Sequence, residues 1–223
     1  MYEVEIKSLL GSKENAEKLK KSLARAYPDA KLVGKGRQLN HYFNLPPDLA
    51  RLEEAVAPLI PADKKAMFEQ ILRHGTKISL RTRDADDKII LVMKASVGSD
   101  TSSNGVTRME FEAVVPKTLA ELDGVLLGGG CTYQAKWSRE REEYVCKGVN
   151  VTLDKNAGYG WLAEFERVVD DASKVDAARA EVTALMTELN VQELPQDRLE
   201  RMFAFYNEHW PEYYGTEKVF VIE

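Results

Sequence analysis

Five strand-like segments of this chain each carry two like charges at i and i+2. The acidic pairs are Glu3/Glu5, Glu110/Glu112 and Glu164/Glu166, and the basic pairs are Arg81/Arg83 and Arg139/Arg141. Successive strand side chains point to opposite faces, so each pair shares a face, about 7 Å apart at roughly 3.3 Å per residue. The opposite faces are apolar, as in Tyr2-x-Val4-x-Ile6 set against Glu3-x-Glu5-x-Lys7. Such strands need their apolar faces covered, and amphipathic helical segments are available to do it. Covering the sheet from outside and closing it leaves the charged faces inside. The pattern therefore predicts an α+β fold: a closed eight-stranded antiparallel β-barrel, or tunnel, with helices packed outside and a C-terminal helical tail. An eight-stranded barrel fills its interior with side chains or holds one small ligand.

The remaining elements follow from periodicity and punctuation. Strands are expected over 1–8, 37–44, 76–84, 88–96, 106–115, 131–146, 148–156 and 161–169. Helices are expected over 13–26, 48–59, 63–74, 117–127, 173–189 and 197–208, with Asp84-Ala85-Asp86-Asp87 as a hairpin turn. We read residues 1–223 as a single domain, with the barrel over about 2–169 and a helical extension over about 173–223.

Composition excludes several classes. A net charge of −5 provides no basic field for nucleic acid or an anionic membrane. No run approaches the roughly 20 apolar residues of a membrane helix, and no apolar signal core opens the chain, so a cytoplasmic protein is expected. Cys131 and Cys146 lack metal-ligand spacing and read as buried free thiols. His41, His74 and His209 are too scattered to form a metal cluster. Gly128-Gly129-Gly130 reads as a turn, because neither a lysine-serine pair nor a helix follows it.

A barrel interior charged with both signs asks for a ligand of both signs, since unpaired buried charge is strongly unfavourable. A metal-bound polyphosphate fits, with arginines and lysines gripping phosphates and carboxylates gripping the metal.

In order along the chain stand Glu3-x-Glu5-x-Lys7, Arg81-x-Arg83, Lys94, Glu110-x-Glu112, a basic strand, Asp154 and a closing Glu164-x-Glu166. This order resembles the CYTH family, the triphosphate tunnel metalloenzymes, over about residues 2–169. The opening Glu3-Val4-Glu5-Ile6-Lys7 and the closing Gly158-Tyr159-Gly160-Trp161-Leu162-Ala163-Glu164-Phe165-Glu166 match best. The resemblance implies a closed tunnel acting on triphosphates with Mg²⁺ or Mn²⁺. It implies triphosphate binding by Lys7, Arg81, Arg83, Lys94, Arg139 and Arg141. Glu3, Glu5 and Glu166 would hold a first metal and, with Lys7, form the catalytic set; Glu164, Glu112 or Asp154 would serve a second metal. The activity expected first is hydrolysis of inorganic triphosphate. Alternatives are an adenylate cyclase of class IV, a thiamine triphosphatase, and a non-catalytic polyphosphate- or nucleotide-binding module. The expected partner is thus a small triphosphate (inorganic triphosphate, ATP or thiamine triphosphate), bound by a monomer or homodimer.

Three features stand apart from that pattern, and the role of Tyr42 stays open. Segment 46–75 is more helical than the usual connection. Lys136 competes with Arg139 and Arg141 for the basic positions, but lies on the opposite parity. Tyr42 either points at substrate or packs in the core. The aromatic tail, Tyr206 to Tyr214, is either a packing plug or a stacking platform for a base or thiamine ring.

Overall fold

Alternation carries directly into three dimensions. A computed structural model describes residues 2–96 and 108–223, so Met1 of the expected first strand and the polar loop over 98–105 lie outside the described residues. Among the described residues there are eight strands and six α-helices. The hydrogen-bonded order is β1-β8-β7-β6-β2-β3-β4-β5. It begins at β1 and ends at β5, so the result is an eight-stranded antiparallel sheet, and the expected closure into a barrel is not part of its hydrogen bonding. One β1 backbone group is taken up elsewhere: the Lys7 carbonyl accepts from Leu194 N–H at 2.7 Å. No helix among the described residues is long and apolar enough to cross a membrane.

The described chain forms two compact units, one of residues 2–37 and 138–223, the other of 38–96 and 108–137. In the first, β1 (Tyr2–Gly11), β8 (Gly160–Val169), β7 (Val149–Asn156) and β6 (Thr132–Cys146, from residue 138 onward) form consecutive antiparallel ladders. Their apolar faces meet α1 (Lys13–Ala26) and α5 (Val175–Glu188): Ile6, Phe165, Val151 and Leu153 pack with Leu19, Leu23, Val182 and Leu185. Each such buried aliphatic or aromatic side chain contributes about 1.5–3 kcal/mol. Ser12 starts α1 by accepting a hydrogen bond from Asn15 N–H at 3.3 Å. Between β6 and β7, Lys147 and Gly148 both adopt positive φ, +51° and +73°, as a type I′ hairpin turn requires.

Strand β2 (Lys31–Asn44) begins six residues before the expected start at 37. Glycines at 34 and 36 hide it from propensity, since glycine weakens a strand pattern. Partners recover it: Lys35 Nζ lies 3.0 Å from Glu142 Oε1, and a Cβ on Gly34 would stand 3.3 Å from Glu143 Oε2.

The second unit holds the hairpin of β3 (Thr76–Ala85) and β4 (Lys88–Ser96), joined by Asp86 and Asp87 at φ +50° and +67°, with β2 and β5 (Arg108–Val114) on either side. Segment 46–75 contributes α2 (Leu49–Val56) and α3 (Lys65–His74), and α4 (Leu119–Gly128) follows β5. Leu52, Val56, Phe68 and Ile71 of that segment pack with Leu80, Leu91, Met93, Phe111, Leu122 and Leu126. The helical insert is therefore core.

Under this sheet lies a polar knot. Buried Asp123 of α4 accepts from the Thr82 hydroxyl at 2.6 Å and the Tyr133 hydroxyl at 2.7 Å, and its Oδ2 lies 2.6 Å from His41 Nδ1. Burial alone would raise the Asp123 pKa; the hydrogen bonds from His41, Thr82 and Tyr133 outweigh it and lower the pKa. A lowered folded-state pKa adds stability above the unfolded value of about 3.9, and that stability is lost as pH falls through the folded value. Asp123→Ala is expected to cost about 2–4 kcal/mol at pH 7, by leaving buried donors unmatched, and to flatten the acid limb of a melting-temperature profile. An unchanged profile would remove the knot from the account.

The tail departs from expectation in one respect. Helix α6 (Gln196–Tyr213) continues through Pro211 rather than ending at 208. Tertiary packing holds that last turn: Tyr213 and Tyr206 pack on Phe220 at centroid separations of 5.4 and 6.4 Å, and Tyr159 meets Phe220 at 4.9 Å. Gly158, at φ +78°, is needed here, because a Cβ would lie 2.8 Å from the Tyr206 ring. The buried aromatics of the tail, Tyr206 and Phe220, pack inside the first unit. Both cysteines are buried free thiols, and burial pushes Cys131 up to about 11.

Candidate functional site

In the first unit, the face turned away from α1 and α5 carries the charge. Register brings it together: Glu5 stands opposite Glu166, and Lys7 opposite Glu164. Asn150 is opposite Glu166, Thr152 opposite Glu164, and Arg141 opposite Asp154. Carboxylate oxygens of Glu3, Glu5 and Glu166 all lie within 4.8 Å of one another. These are the three residues expected to hold a first metal.

Two further acids of this face, Asp154 and Glu164, are engaged by cations. Arg141 donates from Nε to Asp154 Oδ1 at 2.7 Å and from Nη2 to Asp154 Oδ2 at 2.5 Å, with a further 2.6 Å bond to Glu164 Oε2. Arg139 Nη1 donates to Asp154 Oδ2 at 3.1 Å. Lys7 contacts Glu5 and lies 3.3 Å from Glu164. Burial would raise the Glu164 pKa, but Lys7, Arg141 and Arg139 hold it well below the usual carboxylate range. The same acids push the Arg141 pKa upward against its burial. Opposite charges thus meet across strands at Lys7–Glu164 and Arg141–Asp154, whereas Glu5 and Glu166 meet as like charges and leave one end of the face acidic.

Three oxygen donors converging at this distance suit a hard divalent cation. A further atom tests the fit. The Asn150 amide nitrogen donates to Glu143 Oε1 at 2.9 Å, whereas Asn150 Oδ1 is buried without a hydrogen-bond partner. A neutral oxygen with an unused lone pair, on the residue directly opposite Glu166, matches the hard-donor set that Mg²⁺ and Mn²⁺ take.

The second unit presents its own charged face. Arg81 Nη1 donates to the Tyr42 hydroxyl at 2.6 Å, and its guanidinium lies 5.4 Å from the Tyr42 ring centre. Burial would lower the Arg81 pKa, but the Tyr42 hydroxyl and the acids Glu110 and Glu112 raise it. Arg83 donates to Asn40 Oδ1 at 2.9 Å and to Glu112 Oε1 at 2.8 Å. Lys94 sits 3.3 Å from Glu110. Lys64, from the helical insert, donates to the Glu112 backbone carbonyl at 2.5 Å. Arg81 Nε is buried without a partner. Tyr42 therefore belongs to the charged face.

Sequence reasoning placed the charged pairs correctly on their faces. Asn40, Asn150 and Thr152 were missed, although the alternation Asn150-x-Thr152-x-Asp154-x-Asn156 is itself a period-two polar stripe. Lys136 leaves the basic set, its ammonium lying 4.1 Å from the Tyr133 ring centre.

The family model described as the CYTH domain matches residues 69–198. No curated protein sequence matches the chain significantly. Among solved structures, the PH1819 protein of Pyrococcus horikoshii aligns with a TM-score of 0.62 at 20% identity, covering 90% of this chain and 99% of that one. A conserved hypothetical protein of Pyrococcus furiosus aligns at 0.61 and 19% identity, covering 85% and 91%. A candidate adenylate cyclase of Vibrio parahaemolyticus aligns at 0.60 and 13% identity, covering 92% and 98%. At these identities the likeness establishes the fold.

Proposed function

The chain belongs to the CYTH domain family, and on that premise we propose that it hydrolyses triphosphates with a divalent metal, inorganic triphosphate foremost. The observation that carries this reading is the convergence of Glu3, Glu5 and Glu166 within 4.8 Å beside a row of arginines and lysines.

Glu3, Glu5, Glu166 and the Asn150 amide oxygen would hold Mg²⁺ or Mn²⁺. When bound, the ion supplies charge neutralisation of phosphate oxygens and polarisation of the attacking water. Lys7, Arg139 and Arg141 of the first unit would bind phosphate oxygens, and the second unit carries a basic row of its own in Arg81, Arg83 and Lys94. Arginine suits this task because its planar fork takes phosphate bidentately and stays protonated. A triphosphate carries about four negative charges that repel an incoming nucleophile, and cations that stay charged lower that barrier. Asp154, Glu164 and Glu112 act on the chemistry indirectly. Each already holds an arginine, so each fixes where a guanidinium points before substrate arrives. Tyr42 does the same for Arg81.

Among the described residues, neither unit presents an arrangement built to read a base edge. Buried Tyr206 packs on Tyr159 and Phe220, which supports the packing plug over the stacking platform. Most recognition then falls on phosphates, which every triphosphate shares. Inorganic triphosphate is therefore expected to show a higher kcat/KM than ATP or thiamine triphosphate, by about tenfold for a single misfit of roughly 1.4 kcal/mol. A steady-state comparison of the three under one metal condition measures this. Preference for ATP with cyclic AMP as product would favour the cyclase named for the Vibrio relative.

A further inference from the structure

Away from the charged face, on the far side of α1, the first unit contains a cleft of about 730 Å³. One wall is a face of α1, and the other is the turn after α5 together with the start of α6. Asn15, Lys18, Ser22 and Arg25 recur at intervals of three and four residues, with Lys21 beside them, so helical geometry puts them on one side. Arg198 of α6 adds a fourth cation to the lining. Glu193 is the sole acid among the lining residues, and Arg179 lies 3.9 Å from it. Among the described residues, neither Lys21 nor Arg25 has an ion-pair partner, whereas Lys20, which does not line the cleft, lies 2.8 Å from Glu17 and 2.9 Å from Glu142. Of the five cations of the helix, Lys13 stands at its first position, Lys20 is neutralised against β6, and Lys18, Lys21 and Arg25 line the cleft.

The opposite wall is held in shape. Asn190 takes the left-handed conformation at φ +55°, with Val191 N–H bonded to Met186 O at 2.9 Å and Asn190 N–H to Thr187 O at 3.0 Å. This is a Schellman turn, and it throws residues 191–195 across β1, where Leu194 N–H meets the Lys7 carbonyl. Buried Ser8 lies at the floor.

In a chain of net charge −5, four cations lining one cleft stand against the overall field. The volume falls in the range of small-molecule sites, and hydroxyl and amide donors of Ser22 and Gln192 accompany the cations. Lysine and arginine with neutral donors are the set that binds phosphate oxygens. We propose that this cleft is a second anion site, separate from the charged face, that takes a small phosphate-rich molecule. The assignment stands independently of the proposed hydrolysis.

The test is calorimetric titration of the full chain with inorganic triphosphate, in excess chelator to prevent turnover and at about 0.15 M ionic strength to screen weak surface attraction. Two classes of site are expected in the native protein. Lys21→Ala/Arg25→Ala should weaken one class by about tenfold or more, the loss expected for removing charged hydrogen-bond partners. That variant should keep the native melting temperature and any metal-dependent turnover. Arg141→Ala should instead affect the other class. Identical isotherms for the native protein and the Lys21/Arg25 variant would overturn the proposal. So would displacement of the cleft-bound triphosphate by a short oligoglutamate at equal concentration, which would make the cleft a general acidic-peptide site. Absence of turnover on every substrate, with loss of one binding class in the variant, would sink the hydrolase reading and leave the cleft standing.

Discussion

Arg141→Ala is expected to lower stability by about 3–5 kcal/mol, the usual consequence of removing one partner from a buried ion pair. For a chain of this size that corresponds to a melting-temperature loss of about 6–20 °C. The guanidinium holds both oxygens of Asp154, a side chain 1% exposed, and one oxygen of Glu164. Deleting it leaves two carboxylates buried with only Arg139 and Lys7 to compensate. The pH dependence should shift with it. Glu164 is held well below the usual carboxylate range, so it contributes stability above its unfolded value of about 4.3, lost as pH falls through the folded value. In Arg141→Ala that contribution shrinks, and the gap between native and variant should narrow towards low pH. Arg141→Lys should fall between the two, because an ammonium restores charge but not the fork. A melting temperature within about 2 °C of native for Arg141→Ala would show that solvent, rather than this network, balances Asp154.

The second large effect concerns the convergent carboxylates. Glu5→Gln or Glu166→Gln is expected to reduce kcat by about a hundredfold to a thousandfold, the scale of losing one preorganised electrostatic contact. The metal-free protein should stay folded, since removing one of three clustered like charges relieves repulsion. Asn150→Ala should act through binding and weaken Mn²⁺ affinity by about tenfold or more, as supporting positions of metal sites do. Direct Mn²⁺ titration by paramagnetic resonance reads that affinity without reference to turnover. Native Mn²⁺ affinity in all three variants would move the metal elsewhere.

The strands were legible because a charge at every second residue leaves few alternatives, and the hairpin at Asp86-Asp87 was marked by its polar run. Register was not legible. Alternation shows that Glu5 and Glu166 each face one way, but only the β1–β8 ladder sets them opposite each other. For the same reason the pairing of signs was not legible: the ladders interleave Arg141 with Asp154 and Glu164, and Arg83 with Glu112. The Asp123 knot was out of reach, because its four members come from β2, β3, α4 and β6 and no local spacing connects them. Its trace in the sequence was a single aspartate in the otherwise apolar run Leu122 to Leu127. The early start of β2 and the passage of α6 through Pro211 were hidden by glycine and proline, residues whose local preference is overruled here by packing partners.

The central claim is that metal and charged strands together break a phosphoric anhydride. The most direct measurement incubates the native protein with inorganic triphosphate, and separately with ATP, in Mn²⁺ or Mg²⁺ and in excess chelator. Released orthophosphate is then quantified and nucleotide products are identified by mass spectrometry. The account predicts orthophosphate from inorganic triphosphate with metal, none in chelator, and no cyclic AMP from ATP. Orthophosphate release undiminished by chelator, or cyclic AMP and pyrophosphate as the products from ATP, would contradict it.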